Sequence, residues 1–106
     1  MSFTLHDLEQ RVRERATASP EASYTRKLLD RGIGHCSKKL GEEAIETVLA
    51  ATSEDRERLI SEPADLLYHL LVVLRARDIT LSEVEAELGE RTRQSGLDEK
   101  SMRKGG

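Results

Sequence analysis

Apolar residues recur at spacings of three and four through most of the chain, the period at which one face of an α-helix meets a core. Leu5, Leu8 and Val12 mark a first helix; Thr4 stands where a cap is needed, Asp7 completes a capping box, and Ser19-Pro20 predicts the end. Residues 1–22 thus read as an N-terminal packing helix. Ser23-Tyr24-Thr25 opens a short segment through Leu28 and Leu29, which Gly32 and Gly34 break. A long helix follows from about Gly34 to Ala51, and Ser53 restarts the chain through Leu59. An interior proline costs a helix about 3 kcal/mol, so Pro63 predicts a fresh start near Ser61 or Glu62, or a kink there. That helix runs to Arg77 and is bounded by Asp78; Thr80 or Ser82 caps a last one carrying Val84, Leu88 and Thr92. Ser95-Gly96 marks a turn, and residues 98–106 form a polar tail. No stretch alternates strictly between polar and apolar residues, and seven Gly and two Pro are too few for the closely spaced turns of an all-β domain. The fold class is all-α, a bundle of about four to five helices in a single domain over residues 1–106.

Length and charge narrow what such a bundle can do. A chain of 106 residues buries only about two-thirds of its extended surface, which leaves little to enclose an internal cavity, so a site belongs between helices or subunits. The net charge is −3, Trp is absent and the aromatic residues are Phe3, Tyr24 and Tyr68, which removes both the basic faces and the stacking platforms that nucleic-acid binding uses. No apolar run approaches the roughly 20 residues that span a bilayer, and Met1 to Gln10 lacks the pattern of a secretory signal; a cytoplasmic protein without membrane contact is expected. Cys36 is the single cysteine and reads as a small buried thiol.

Two helices carry the candidate chemistry. Lys39, Glu42, Glu43 and Glu46 share an arc about 100° wide on the first, as a solvated acidic face would. The second, from Glu62, has Ala64, Leu66, Leu67, Leu70, Leu71, Val72, Val73, Leu74 and Ala76 on nearly every side and reads as buried. Glu62, Asp65 and His69 lie on one stripe of it that continues as Val72, Val73 and Ala76. Buried carboxylates must be protonated, paired with cations or bound to metal. Antiparallel packing sets Glu43 and Glu46 opposite Glu62 and Asp65, and four carboxylates in a small volume call for a hard divalent ion, Mg²⁺ or Mn²⁺, whose remaining positions suit water and phosphate. The alternative is a set of salt bridges to Lys38, Lys39, Arg75 or Arg77. Tyr68 reads as an interface phenol and His69 as a core imidazole bonded to a neighbouring carboxylate. Leu66, Leu67, Leu70, Leu71, Val73 and Leu74 display more apolar surface than a small monomer covers, which predicts a homodimer.

Glu42-Glu43-x-x-Glu46, followed after fifteen intervening residues by Glu62-x-x-Asp65, resembles the paired signature of the all-α nucleoside-triphosphate pyrophosphatases, the MazG-like superfamily. The succession Ser23-Tyr24-Thr25, Lys38-Lys39-Leu40-Gly41-Glu42-Glu43, Asp65-Leu66-Leu67-Tyr68-His69 and Ser95-Gly96-Leu97-x-Glu99-Lys100 resembles the phosphoribosyl-ATP pyrophosphatase family of histidine biosynthesis. This resemblance covers roughly Ser23 to Lys104 and implies Mg²⁺-dependent hydrolysis of phosphoribosyl-ATP to phosphoribosyl-AMP and pyrophosphate by a dimeric cytoplasmic enzyme. It implies Glu43, Glu46, Glu62 and Asp65 as metal ligands, Glu42 as a further ligand or water-orienting group, and Lys38 and Lys39 as a phosphate-binding pair. Ser23, Tyr24, Thr25, Arg91, Ser95 and Lys100 are then candidates for reading the phosphoribosyl half. Pro63 departs from the family pattern, where Ala or Ser is expected. A housekeeping pyrophosphatase of the same superfamily and a non-catalytic helical dimerisation module are the competing readings.

Overall fold

A computed structural model describes residues 2–53 and 55–93. Five helices follow one another, α1 Leu5–Ala16, α2 Tyr24–Asp30, α3 Ile33–Thr52, α4 Arg56–Ala76 and α5 Leu81–Thr92, and the chain is all-α over these residues. The capping box at α1 is formed: Asp7 N–H donates to Thr4 Oγ1 at 3.1 Å and Thr4 N–H to Asp7 Oδ2 at 2.9 Å. These bonds from Thr4 hold the Asp7 carboxyl below its ordinary value. Ser23 caps α2 by accepting from Arg26 N–H at 3.0 Å, and its hydroxyl donates to Arg15 C=O at 2.9 Å, which ties the end of α1 to the start of α2.

Three expected helix boundaries move. Gly32, at φ 92°, makes the left-handed turn into α3, but Gly34 lies inside α3 as its second residue. A glycine there weakens the helix by no more than about 1 kcal/mol, which packing of the remaining turns outweighs. The segments expected on either side of Pro63 are one helix. Asp55 caps α4 by accepting from Arg58 N–H at 3.2 Å, and the helix passes through Pro63 to Ala76. Proline removes one backbone donor, while α4 lies along most of α3, and that packing holds the helix together across the missing bond. Ser53 ends α3 rather than opening a new segment, its hydroxyl bonding Ala50 C=O at 2.9 Å.

The end of α4 is a Schellman closure around a non-glycine residue. Asp78 sits at φ 55°, Asp78 N–H bonds Arg75 C=O at 3.1 Å, and Ile79 N–H bonds Leu74 C=O at 2.9 Å. A β-carbon in this conformation is disfavoured. Asp78→Gly is therefore expected to stabilise the protein by about 0.5–1 kcal/mol, raising Tm by several degrees in a thermal melt; an unchanged or lower Tm would refute this reading of the turn.

Val12, Leu28, Cys36, Leu71, Val72 and Leu81 form one small core, with Cys36 buried as its composition suggested. The short connection makes α3 and α4 an antiparallel hairpin, with α1 packed against α4 and α2 against both. The second site helix is not buried all round. His69, Leu71 and Val72 are its buried residues, whereas Leu67 is exposed, because α1 and α2 cover only part of its circumference. Ile45, Val48 and Leu49 on α3 and Ile60 on α4 are likewise more than half exposed. At the other end, Leu81 anchors α5, its N–H donates to Glu9 Oε2 at 2.7 Å, and His6 Nε2 meets Glu85 Oε1 at 2.8 Å.

Candidate metal centre

The α3–α4 hairpin sets Glu43 opposite Glu62 and Asp65, one carboxylate oxygen from each lying within 4.8 Å of the other two. Glu43 and Glu62 are half-buried and Asp65 is exposed, so the expectation that this stripe is fully buried is corrected: it is buried at His69, half-buried at Glu62 and open to solvent at Asp65, even though α3 faces it. Burial, then the charge of Asp65, raises the Glu43 carboxyl above its ordinary value; burial, then Glu43 and Glu46, does the same for Glu62. Three hard oxygen donors whose negative charges oppose one another match the chemistry of Mg²⁺ or Mn²⁺, which supplies the missing positive charge.

Glu46 stands slightly apart. Its Oε2 lies 3.6 Å from Arg58 Nη2, which is also 4.0 Å from Glu62 Oε2. Arg58, which is not among the four cations expected from sequence, is thus the one that pairs with Glu46 and Glu62, while the charge of Lys39 acts on Glu43. Among the described residues no ion pair joins Lys38, Lys39, Arg75 or Arg77 to Glu43, Glu62 or Asp65. A start for α4 near Ser61 left Arg58 outside the site helix. Once the helix begins at Arg56, Arg58 stands four residues before Glu62, the spacing at which side chains on one face meet.

Lys39 Nζ pairs with Glu42 Oε1 at 3.2 Å, and that bond raises the lysine's pKa; Lys38 is exposed on the same helix. Tyr24 is exposed and presents its ring edge-on to His69 at 6.4 Å between centroids, while Tyr68 does so at 5.0 Å. Burial, then Lys39, lowers the His69 pKa, which favours the neutral imidazole. The expected bond from His69 to a carboxylate is not made among the described residues: its buried Nδ1 has no partner there, and Tyr24 and Tyr68 stand edge-to-face with the ring. Ser23 and Thr25 are buried, the first occupied with capping and the second hydrogen-bonded to Tyr68 Oη. Tyr24 is therefore the member of that block whose side chain faces solvent. Arg91 is exposed in the last turn of α5, 4.0 Å from Glu87. Ser95 and Lys100 lie outside the described residues.

A sequence model of the family described as phosphoribosyl-ATP pyrophosphohydrolase matches residues 5–92. A protein of Bradyrhizobium diazoefficiens named phosphoribosyl-ATP pyrophosphatase 1 is 63% identical over 102 residues, 96% of this chain and 96% of its own length. One of Azorhizobium caulinodans named phosphoribosyl-ATP pyrophosphatase is 60% identical, covering 94% of this chain and 92% of its own. One of Rhodopseudomonas palustris, also named phosphoribosyl-ATP pyrophosphatase 1, is 58% identical, covering 96% and 95%. With a family match across all five helices and relatives of this identity over nearly their whole length, the chain belongs to the phosphoribosyl-ATP pyrophosphohydrolase family.

Proposed function

We propose that this chain hydrolyses phosphoribosyl-ATP to phosphoribosyl-AMP and pyrophosphate in the cytoplasm, as the second step of histidine biosynthesis, and that it does so with Mg²⁺ as a homodimer. The observation that carries this reading is the meeting of Glu43, Glu62 and Asp65 across the α3–α4 hairpin of a chain from this family. These three, with Glu46, would hold the ion. When bound, Mg²⁺ neutralises the triphosphate and makes a coordinated water more acidic.

The protein's own contribution is positioning and charge. In the net reaction water adds to a phosphorus of the α–β bridge, that P–O–P linkage breaks, and pyrophosphate departs. Glu42, exposed beside the cluster, orients the attacking water, while Lys38 and Lys39 meet charge developing on the departing group. Tyr24 and Arg91, with Ser95 and Lys100, read the phosphoribosyl half, which ATP lacks. Ser23 and Thr25 act through the backbone by fixing Tyr24 between them. The exposed side chains Ile45, Val48, Leu49, Ile60 and Leu67 supply the dimer contact.

Pyrophosphate release from phosphoribosyl-ATP, ATP, dATP and dUTP, each with Mg²⁺ and with chelator, tests the assignment. Selective, Mg²⁺-dependent turnover of phosphoribosyl-ATP is expected, because polar groups left unpaired by a smaller substrate penalise it. Equal turnover of dUTP or ATP would move the chain to a housekeeping role, and no turnover at all to a non-catalytic one.

A further inference from the structure

Arg58 is not needed for the chemistry above, yet its guanidinium stands 3.6 Å from Glu46 and 4.0 Å from Glu62, two of the carboxylates assigned to the metal. These distances are those of an ion pair without a tight hydrogen bond. The arginine side chain is 45% exposed and that of Glu46 48%, so the contact is held weakly and is easily exchanged. Glu62 differs from Glu46 in being 18% exposed and surrounded by Glu43, Glu46 and Asp65, so it has most to gain from a cation. Arg58 reaches it from the preceding turn of α4, and Glu46 from the facing helix.

We propose that Arg58 is a resident counter-cation, occupying the Glu46–Glu62 side of the acidic cluster in the metal-free protein and giving way when a divalent ion binds. This rests on the metal reading of the cluster. The two cations compete for the same carboxylates, since Glu46 and Glu62 cannot turn fully toward the ion while paired with the guanidinium. Arg58 therefore weakens divalent-ion binding and keeps the empty cluster from destabilising the fold. A positive charge this close to a divalent ion also repels it, in the same direction. The arrangement makes occupancy responsive to divalent-ion concentration, where an unopposed cluster would saturate earlier.

The test measures Mn²⁺ binding to chelator-treated full-length protein by calorimetry and Tm with and without saturating Mn²⁺, for the parent, Arg58→Gln and Arg58→Lys. Arg58→Gln is expected to bind Mn²⁺ about 3–10-fold more tightly, on the scale of a partly exposed charge pair. It should melt lower than the parent without metal and no lower with it, and Arg58→Lys should return both readings toward the parent. A lower Tm in both states with unchanged Mn²⁺ affinity would make Arg58 a structural residue and overturn the proposal while leaving the metal reading intact. Absence of Mn²⁺ binding in all three proteins would overturn both.

Discussion

Glu62→Gln should lower turnover by at least about 100-fold while raising the thermal stability of the metal-free protein. The loss follows because the substitution keeps the side chain's size but removes a charged donor from the cluster, and even groups that merely orient metal ligands are worth about 10–100-fold. The gain follows from the sign of the titration. Burial and the neighbouring carboxylates raise the Glu62 pKa in the folded protein, so the folded state binds more protons than the unfolded state between the ordinary carboxylate value and the raised one. Stability from this group is therefore present at low pH and is lost as pH rises through that window; at neutral pH the ionised form opposes folding. Removing it should raise Tm at pH 7 and flatten the pH dependence of Tm across the window. Mg²⁺ should do the same for the parent protein by binding the ionised cluster. Melts at several pH values with and without metal check the stability half, and initial rates check the other. Turnover within twofold of the parent would remove Glu62 from the site.

The second large effect concerns assembly. If the chain forms the homodimer proposed above, Ile60→Asp should convert it to a monomer at micromolar concentration and take most of the activity with it. Ile60 is 61% exposed on α4, and Val48 at 61% and Leu49 at 51% are exposed on α3, the helix it pairs with. Placing a carboxylate among apolar side chains that pack against a second copy costs several kcal/mol per site, and two-fold symmetry applies that cost twice, enough to weaken association by about 10³-fold or more. Light scattering of the parent and variant over a range of concentrations measures this directly. A monomeric, fully active parent would end the dimer reading, and a variant that remains dimeric would move the interface to another face.

Most of the helical order was legible because capping chemistry is local. The expected Thr4–Asp7 box is made, Ser23 caps the helix it was expected to open, and of the two candidates for the last cap the structure selects Thr80, each closing a helix start through bonds spanning three residues. Antiparallel packing was the condition on which Glu43 and Glu46 were expected to face Glu62 and Asp65; the structure brings Glu43 to Glu62 and Asp65, while Glu46 stands beside Arg58. The course of the chain at Pro63 was not legible, because the outcome depends on what α4 packs against rather than on proline's own preference. That single boundary concealed Arg58, whose relation to Glu62 exists only if the helix begins a turn and a half earlier. The exposure of Asp65 was hidden differently. Apolar residues on every side of α4 indicate burial, but a chain of 106 residues has too few helices to wrap that one, and sequence alone does not say whether the cover comes from the same chain or a second copy. Among the described residues His69 lacks its expected carboxylate bond and instead has Tyr24 and Tyr68, from different helices, edge-to-face with its ring, a neighbourhood that local spacing does not reveal.

The most direct test of a catalytic metal centre at Glu43, Glu62 and Asp65 follows bound metal and turnover together. Chelator-treated protein is titrated with Mg²⁺, and phosphoribosyl-ATP hydrolysis is read at each step beside the same titration of Asp65→Asn. Turnover in the parent should rise from zero in parallel with metal occupancy, and Asp65→Asn should stay at least about 100-fold lower at every Mg²⁺ concentration below saturation. Full turnover in chelator, or turnover by Asp65→Asn that matches the parent throughout, would contradict it.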